Sequence, residues 1–147
     1  MTAQSREELM RRLVVELQLM RGSAETLQQR LQMLQSAIAD LSVARGSIDA
    51  LKEAEEGAPI LVPMGGGALV NARLGNLSRV IVDIGAEVSI EMSLEEAEQD
   101  VSGRLEDMEK ASLSVQQQLE QIVAQMQIHQ DNLNRLSASL QGESSGV

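Results

Sequence analysis

The stretch GAPILVPMGGGALVNARLGNLSRVIVDIGAEVSIEM, residues 57–92, decides the fold. It holds both prolines of the chain, Pro59 and Pro63, and six of its 11 glycines. Ile60-Leu61-Val62 leads into the turn-rich Pro63-Met64-Gly65-Gly66-Gly67. Ala68, Val70, Ala72 and Leu74 then share a face opposite Asn71 and Arg73, and Gly75-Asn76 breaks the chain. Val80, Val82 and Ile84 share a face opposite Asp83. After Gly85-Ala86-Glu87, Val88, Ile90 and Met92 share a face opposite Ser89 and Glu91. This period-two pattern predicts two β-hairpins, each with one apolar side.

On either side the periodicity changes. Residues 5–56 and 93–141 contain no proline, and each begins with a serine three positions before a glutamate: Ser5 with Glu8, Ser93 with Glu96. That is the spacing of a capping box at a helix start. In the first segment Met10, Leu13, Leu17, Met20, Ala24, Leu27, Leu31, Leu34, Ile38 and Leu41 recur at three and four residues; Arg45 and Ile48 extend the stripe. In the second it runs Ala97, Val101, Leu105, Met108, Ser112, Val115, Leu119, Ile122, Met126, His129, Leu133, Leu136 and Leu140, with one stutter between Ala97 and Leu105. A seam of this kind defines a coiled coil. The tail, 142–147, is expected to be disordered.

Two helices of similar length, each about 70–78 Å at about 1.5 Å per residue, joined by a compact insert, predict an antiparallel hairpin. Both chain ends then meet at the end opposite the strands. Gly46 and Gly103 fall at one height, which predicts close approach or bending there. The fold class is mostly α with a small β insert. Two hairpins alone are marginal in water, with unpaired edges and an uncovered apolar face. Two covers are open to them: association with other chains into a shared sheet or β-barrel, through Val70, Val80, Val82, Ile84, Val88 and Ile90, or folding back onto the helix ends of the same chain.

Composition narrows the chemistry. The 147 residues include no Phe, Trp, Tyr or Cys and a single His, so neither a disulfide nor a His or thiolate metal cluster is expected. The net charge of −10 argues against nucleic-acid binding. No apolar run is long enough to span a membrane, and residues 1–12 lack the core of a secretory signal, so a cytoplasmic protein is expected. Gly65-Gly66-Gly67 lacks the Gly-Lys-Ser/Thr ending of a phosphate loop. His129 has no companion ligand, and the carboxylates of residues 83–109 read as a solvated helix face. No cofactor and no catalytic site are expected.

What remains is apolar surface off the seam. Leu9, Val14, Val15 and Leu19 crowd the start of the first helix, and Val123 and Ile128 lie near the end of the second. An antiparallel hairpin brings both regions to one tip, where excess apolar surface marks an interaction site. Methionines at 10, 20 and 126 suit variable partners.

The motifs Leu61-Val62-Pro63-Met64-Gly65-Gly66-Gly67, Val80-Ile81-Val82-Asp83-Ile84-Gly85 and Leu94-Glu95-Glu96-Ala97 between capped heptad helices resemble the alpha class of the prefoldin family. The resemblance covers residues 5–141 within a single prefoldin-like domain, 1–147. It implies a hexamer of two alpha and four beta subunits, whose hairpins form a double β-barrel platform. It further implies ATP-independent capture of non-native polypeptides at the coiled-coil tips and their transfer to a group II chaperonin. The client-binding residues would be Leu9, Met10, Leu13, Val14, Leu17, Met126, Leu133, Leu136 and Leu140. The lack of aromatics in the insert departs from the family pattern. The competing reading is a coiled-coil scaffold that holds two fixed partners apart.

Overall fold

The computed structural model describes residues 2–145, with side chains through residue 142. Its elements follow in the order α1 (Ala3–Glu53), β1 (Pro59–Gly65), β2 (Ala68–Arg73), β3 (Arg79–Gly85), β4 (Val88–Ser93) and α2 (Leu94–Ser145). They form two compact units, one of residues 1–35 and 110–147 and one of residues 36–109.

Helix α1 starts earlier than the Ser5–Glu8 spacing predicts. Thr2 is its cap: the Ser5 backbone N–H donates to Thr2 Oγ1 (3.2 Å), and the Ser5 hydroxyl returns a bond to the Thr2 carbonyl (3.0 Å). Ser5 therefore occupies the position expected for Glu8, but its hydroxyl donates to the cap carbonyl, where the carboxylate of a box would accept from the cap N–H. The second start matches its expectation, with Glu96 N–H donating to Ser93 Oγ (3.1 Å). Glu95 and Glu96 place negative charge in the first turn of α2, where free N–H groups favour it. Helix α2 continues through Ser145, past the expected end at 141. The last two residues of the tail expected to be disordered lie outside the described residues.

In the first unit the α1 and α2 segments run antiparallel. Arg6 Nη1 donates to Ser139 Oγ (2.9 Å), and Glu16 meets His129 (2.8 Å). Leu13, Leu17, Ala24, Ser112 and Val115 are buried between them, all on the predicted stripe. In the second unit Lys52 pairs with Glu98. Ile48, Ala97 and Val101 form the core there, with Leu41, Ala44, Val80, Val82, Met92 and Leu94 packed around it. Arg45, expected on the stripe, is exposed, and Ala44 takes its place. Ile38, Leu41 and Ala44 thus make two successive steps of three on α1, where Ala97, Val101 and Leu105 make two of four on α2. The heptad phase slips on both helices within this unit.

Close approach at Gly46 and Gly103 is not found: a Cβ at either would meet nothing within 4 Å. Both are open helix glycines that add only backbone entropy to the unfolded state.

The hairpins are two copies of one design. In each, a seven-residue strand pairs antiparallel with a six-residue one, and every residue of β1–β2 has its counterpart twenty positions later. Val62 pairs with Val70 as Val82 pairs with Ile90. Each register slips by one residue before the turn, at Met64 and at Ile84. Each turn has two residues at positive φ, the type I′ geometry that matches strand twist. Gly66 and Gly67 take this conformation freely. Ala86 (φ 52°) and Glu87 (φ 62°) do not, because their Cβ crowds the backbone in the left-handed region.

Two stability predictions follow from the backbone alone. Glu87→Gly raises the urea midpoint by the equivalent of about 1 kcal/mol, since it removes the left-handed strain. Gly46→Ala and Gly103→Ala each add about 0.5–1 kcal/mol in the same assay, because neither site restricts a methyl group.

Candidate functional site

Burial separates the apolar residues of the first unit into two sets. Leu17 is 4% exposed and sits in the seam, while Leu19, two residues on, is 68% exposed. Among the residues expected to meet clients, Leu13 and Leu17 are buried, and Leu9, Met10, Met126, Leu133, Leu136 and Leu140 are half-buried against the facing helix. Of that set only Val14 is exposed. The apolar surface open to a partner consists of Val14, Val15, Leu19, Val123 and Ile128, with Leu113 and Met33 on the same unit. The first five are off-stripe positions that the periodicity picks out. Leu113 was missed, although it too stands one position beyond a stripe residue, Ser112.

Two shallow grooves adjoin this surface. One, about 540 Å³, is lined by Leu19, Gly22, Ser23, Thr26, Leu27, Gln118 and Ile122. Gly22 carries no side chain beside Leu19, and the Thr26 hydroxyl donates to the Gly22 carbonyl (3.1 Å). The other, about 290 Å³, is lined by Leu9, Leu13, Asn132, Arg135 and Leu136.

Charge is divided just as sharply. The first unit carries seven basic and seven acidic residues, the second five basic and fifteen acidic, so the whole −10 belongs to residues 36–109. A neutral unit with exposed apolar side chains neither attracts nor repels a polypeptide by its net charge.

His129, on the stripe, is tied on both ring nitrogens. Nε2 lies 2.8 Å from Glu16 Oε2 and Nδ1 lies 2.9 Å from the Gln125 carbonyl. The His129 hydrogen bond holds the Glu16 carboxyl below its ordinary range; partial burial opposes this, and Arg12 (3.3 Å) assists. Among the described residues no group of three or more His, Cys, Asp or Glu side chains is placed to hold a metal ion. Among the same residues no helix is long and apolar enough to cross a membrane.

In the second unit the equivalent faces of the two hairpins differ in cover. Val80, Val82 and Met92 pack on the Ile48–Ala97–Val101 core of their own chain. Two of the residues expected to join subunits, Val80 and Val82, are therefore used within the chain. Ile84, Val88 and Ile90, nearer the turn, are exposed. Arg104 fixes this hairpin at its bulge: it donates to the Asp83 carbonyl (3.3 Å) and pairs with Asp100 (3.0 Å), while Asp83 Oδ1 accepts from Gly85 N–H (2.9 Å).

The first hairpin has no such support. Ile60, Val62 and Val70 lie open on one face, and Leu61 and Leu69 on the other. The face of the second hairpin that corresponds to Leu61, Pro63, Leu69 and Asn71 carries Ile81, which is 74% exposed, together with Asp83, Ser89 and Glu91. The single apolar side expected of this hairpin is not what the structure has, because Leu61 and Leu69 are exposed opposite Ile60, Val62 and Val70.

Comparison with known proteins places this arrangement. A family model described as "Prefoldin subunit" matches residues 20–139, and the chain belongs to that family. The prefoldin subunit alpha of Methanothrix thermoacetophila is 36% identical over 94 residues, 64% of this chain and 61% of that protein. The prefoldin subunit alpha of Methanococcus aeolicus is 28% identical over 97 residues, 66% of this chain and 65% of that protein. The chain thus matches less than two thirds of the length of these relatives. A cryo-EM structure of filamentous PFD from Methanocaldococcus jannaschii shares the fold, with a TM-score of 0.64 at 24% identity over 76% of this chain and 93% of that one.

Seam and surface are separated by substitution. Leu17→Ala lowers stability by about 2–4 kcal/mol, and Leu19→Ala by no more than about 0.5 kcal/mol, in equilibrium urea unfolding followed by circular dichroism.

Proposed function

We propose that this chain is a subunit of an ATP-independent holdase chaperone, which captures non-native polypeptides on the first unit and assembles with other subunits through the second. The observation that carries the reading is the pairing of exposed apolar residues with zero net charge on residues 1–35 and 110–147. Unfolded chains share no sequence but all expose apolar side chains. A neutral, many-point apolar surface binds them weakly at each contact and usefully in sum. Val15, Leu19, Val123 and Ile128 make the outer contacts in this reading. The half-buried stripe residues Met10, Met126, Leu133, Leu136 and Leu140 contribute their open edges.

Assembly is the role we assign to the hairpins. A two-stranded sheet with apolar side chains on both faces is not stable in water by itself, so β1–β2 needs a cover that its own chain does not supply. Beta-class prefoldin subunits in a hetero-oligomer fit that need, through Val70, Ile84, Val88 and Ile90 together with Ile60, Leu61, Val62 and Leu69. Transfer of the held polypeptide to a group II chaperonin in the cytoplasm completes the proposal.

The test uses the assembled complex. Leu19→Asp with Val123→Asp lowers the suppression of aggregation of two unrelated unfolded proteins at least severalfold, while the size of the complex by light scattering is unchanged. Leu61→Asp with Val70→Asp has the opposite pattern and shifts the chain to a smaller species. Unaltered suppression by the first pair removes the capture role and leaves a scaffold that holds fixed partners.

A further inference from the structure

Both prolines of the chain stand on β1, Pro59 at its start and Pro63 four residues on, and neither can donate a backbone hydrogen bond. In an antiparallel pair the backbone groups of successive residues point alternately at the partner strand and away from it. The Leu74 N–H donates to the Ala58 carbonyl (2.9 Å), so the backbone groups of these two residues point inward. The register then alternates. Pro59–Arg73 points outward, Ile60–Ala72 inward, Leu61–Asn71 outward, Val62–Val70 inward and Pro63–Leu69 outward. Both prolines thus fall where no bond within the hairpin is lost. Of the outward positions on β1 only Leu61 keeps an N–H, whereas on β2 Leu69, Asn71 and Arg73 all keep theirs.

The second hairpin closes the same edge by other means. Its register repeats that of the first, so Asp83 stands at the outward position of Pro63. The Asp83 carbonyl accepts from Arg104 of α2 (3.3 Å). In both hairpins the edge of the first strand is therefore blocked near the turn, by a missing donor in one and an occupied acceptor in the other. Blocks of this kind keep further strands from pairing with an open edge.

We propose that β1–β2 gains its cover by strand addition along β2, from a strand of a beta-class subunit that hydrogen-bonds to Leu69, Asn71 and Arg73, and that Pro59 and Pro63 close β1 to such pairing. The inference rests on the assembly role assigned to the hairpins. Backbone pairing on one edge fixes the side of the hairpin that the neighbour's strand takes, and whatever stands beside β1 meets it through side chains. A second copy of this chain is the poorer occupant. Its residues 36–109 would bring fifteen acidic and five basic residues against an identical excess. A subunit of different composition need not bring that repulsion.

Hydrogen exchange, resolved by residue in the full chain alone and mixed with a beta-class prefoldin subunit, tests the edge. On assembly the amides of Leu69, Asn71 and Arg73 slow by about tenfold or more, and that of Leu61 by less than about threefold. Asn71→Pro removes the central outward N–H and weakens assembly by about fivefold or more in sedimentation, the size of one lost hydrogen bond, while Asn71→Ala keeps the N–H and stays within about twofold. Pro59→Ala with Pro63→Ala returns donors to β1 and yields species larger than the unaltered complex. Slowing at Leu61 equal to that at Asn71, or equal weakening by Asn71→Pro and Asn71→Ala, overturns the edge assignment and leaves the assembly role standing. Slowing of the same β2 amides in the chain alone, as its concentration rises, overturns the choice of partner. A mixture that forms no complex removes both the edge and the assembly role.

Discussion

Two helices that bury only one side of each other determine everything else in this chain. With no aromatic side chain to build a thicker core, the seam is made from Leu, Val, Ile, Met and Ala, and the buried hydrophobic residues among those described number only eight. Apolar residues beyond the seam have nowhere to go. Leu19, Val123, Leu61 and Leu69 are exposed because the geometry that buries Leu17 and Val101 has no second side to offer.

How far the sequence could be read follows from the same geometry. Heptad spacing reports which side of a helix is buried, so the seam and its partial interruption near the strands were visible. Spacing does not report the phase across an interruption, and Arg45 was therefore placed where Ala44 lies. The cap at Ser93 was legible because its partner is a glutamate, whereas Thr2 pairs with a serine and gives no such signal. The candidate client residues were drawn from the stripe as well as from its flanks. Being apolar and near a chain end did not distinguish Leu17, which is buried in the seam, from Leu19, which stays exposed at its edge. Likewise alternation revealed two hairpins but not which one rests on the helix core. That depends on Val80, Val82 and Met92 meeting Ile48, Ala97 and Val101, a contact between segments far apart in sequence.

The duplicated hairpin isolates what a cover does. Equal strand lengths, register and bulge position mean that backbone geometry is nearly constant between the copies. The difference lies in side chains: the copy with polar residues on one face is packed on its own helices and clamped by Arg104, and the copy with apolar residues on both faces is bare. On that face Asp83 and Ser89 stand where the first hairpin has Pro63 and Leu69, while Ile81 stands where it has Leu61. The absence of this change in β1–β2 is what an external cover would allow.

Charge and exposed apolar surface are unevenly shared between the two units. Exposed apolar side chains invite self-association, and net charge on the same molecule resists it. If the −10 were spread evenly, negative charge would also stand beside Val15, Leu19 and Ile128. Held instead within residues 36–109, it leaves the first unit neutral while the molecule as a whole keeps its like-charge repulsion. The distance over which that repulsion acts is limited to about 8–10 Å at physiological ionic strength. It therefore operates where two carboxylate-rich units come close to one another.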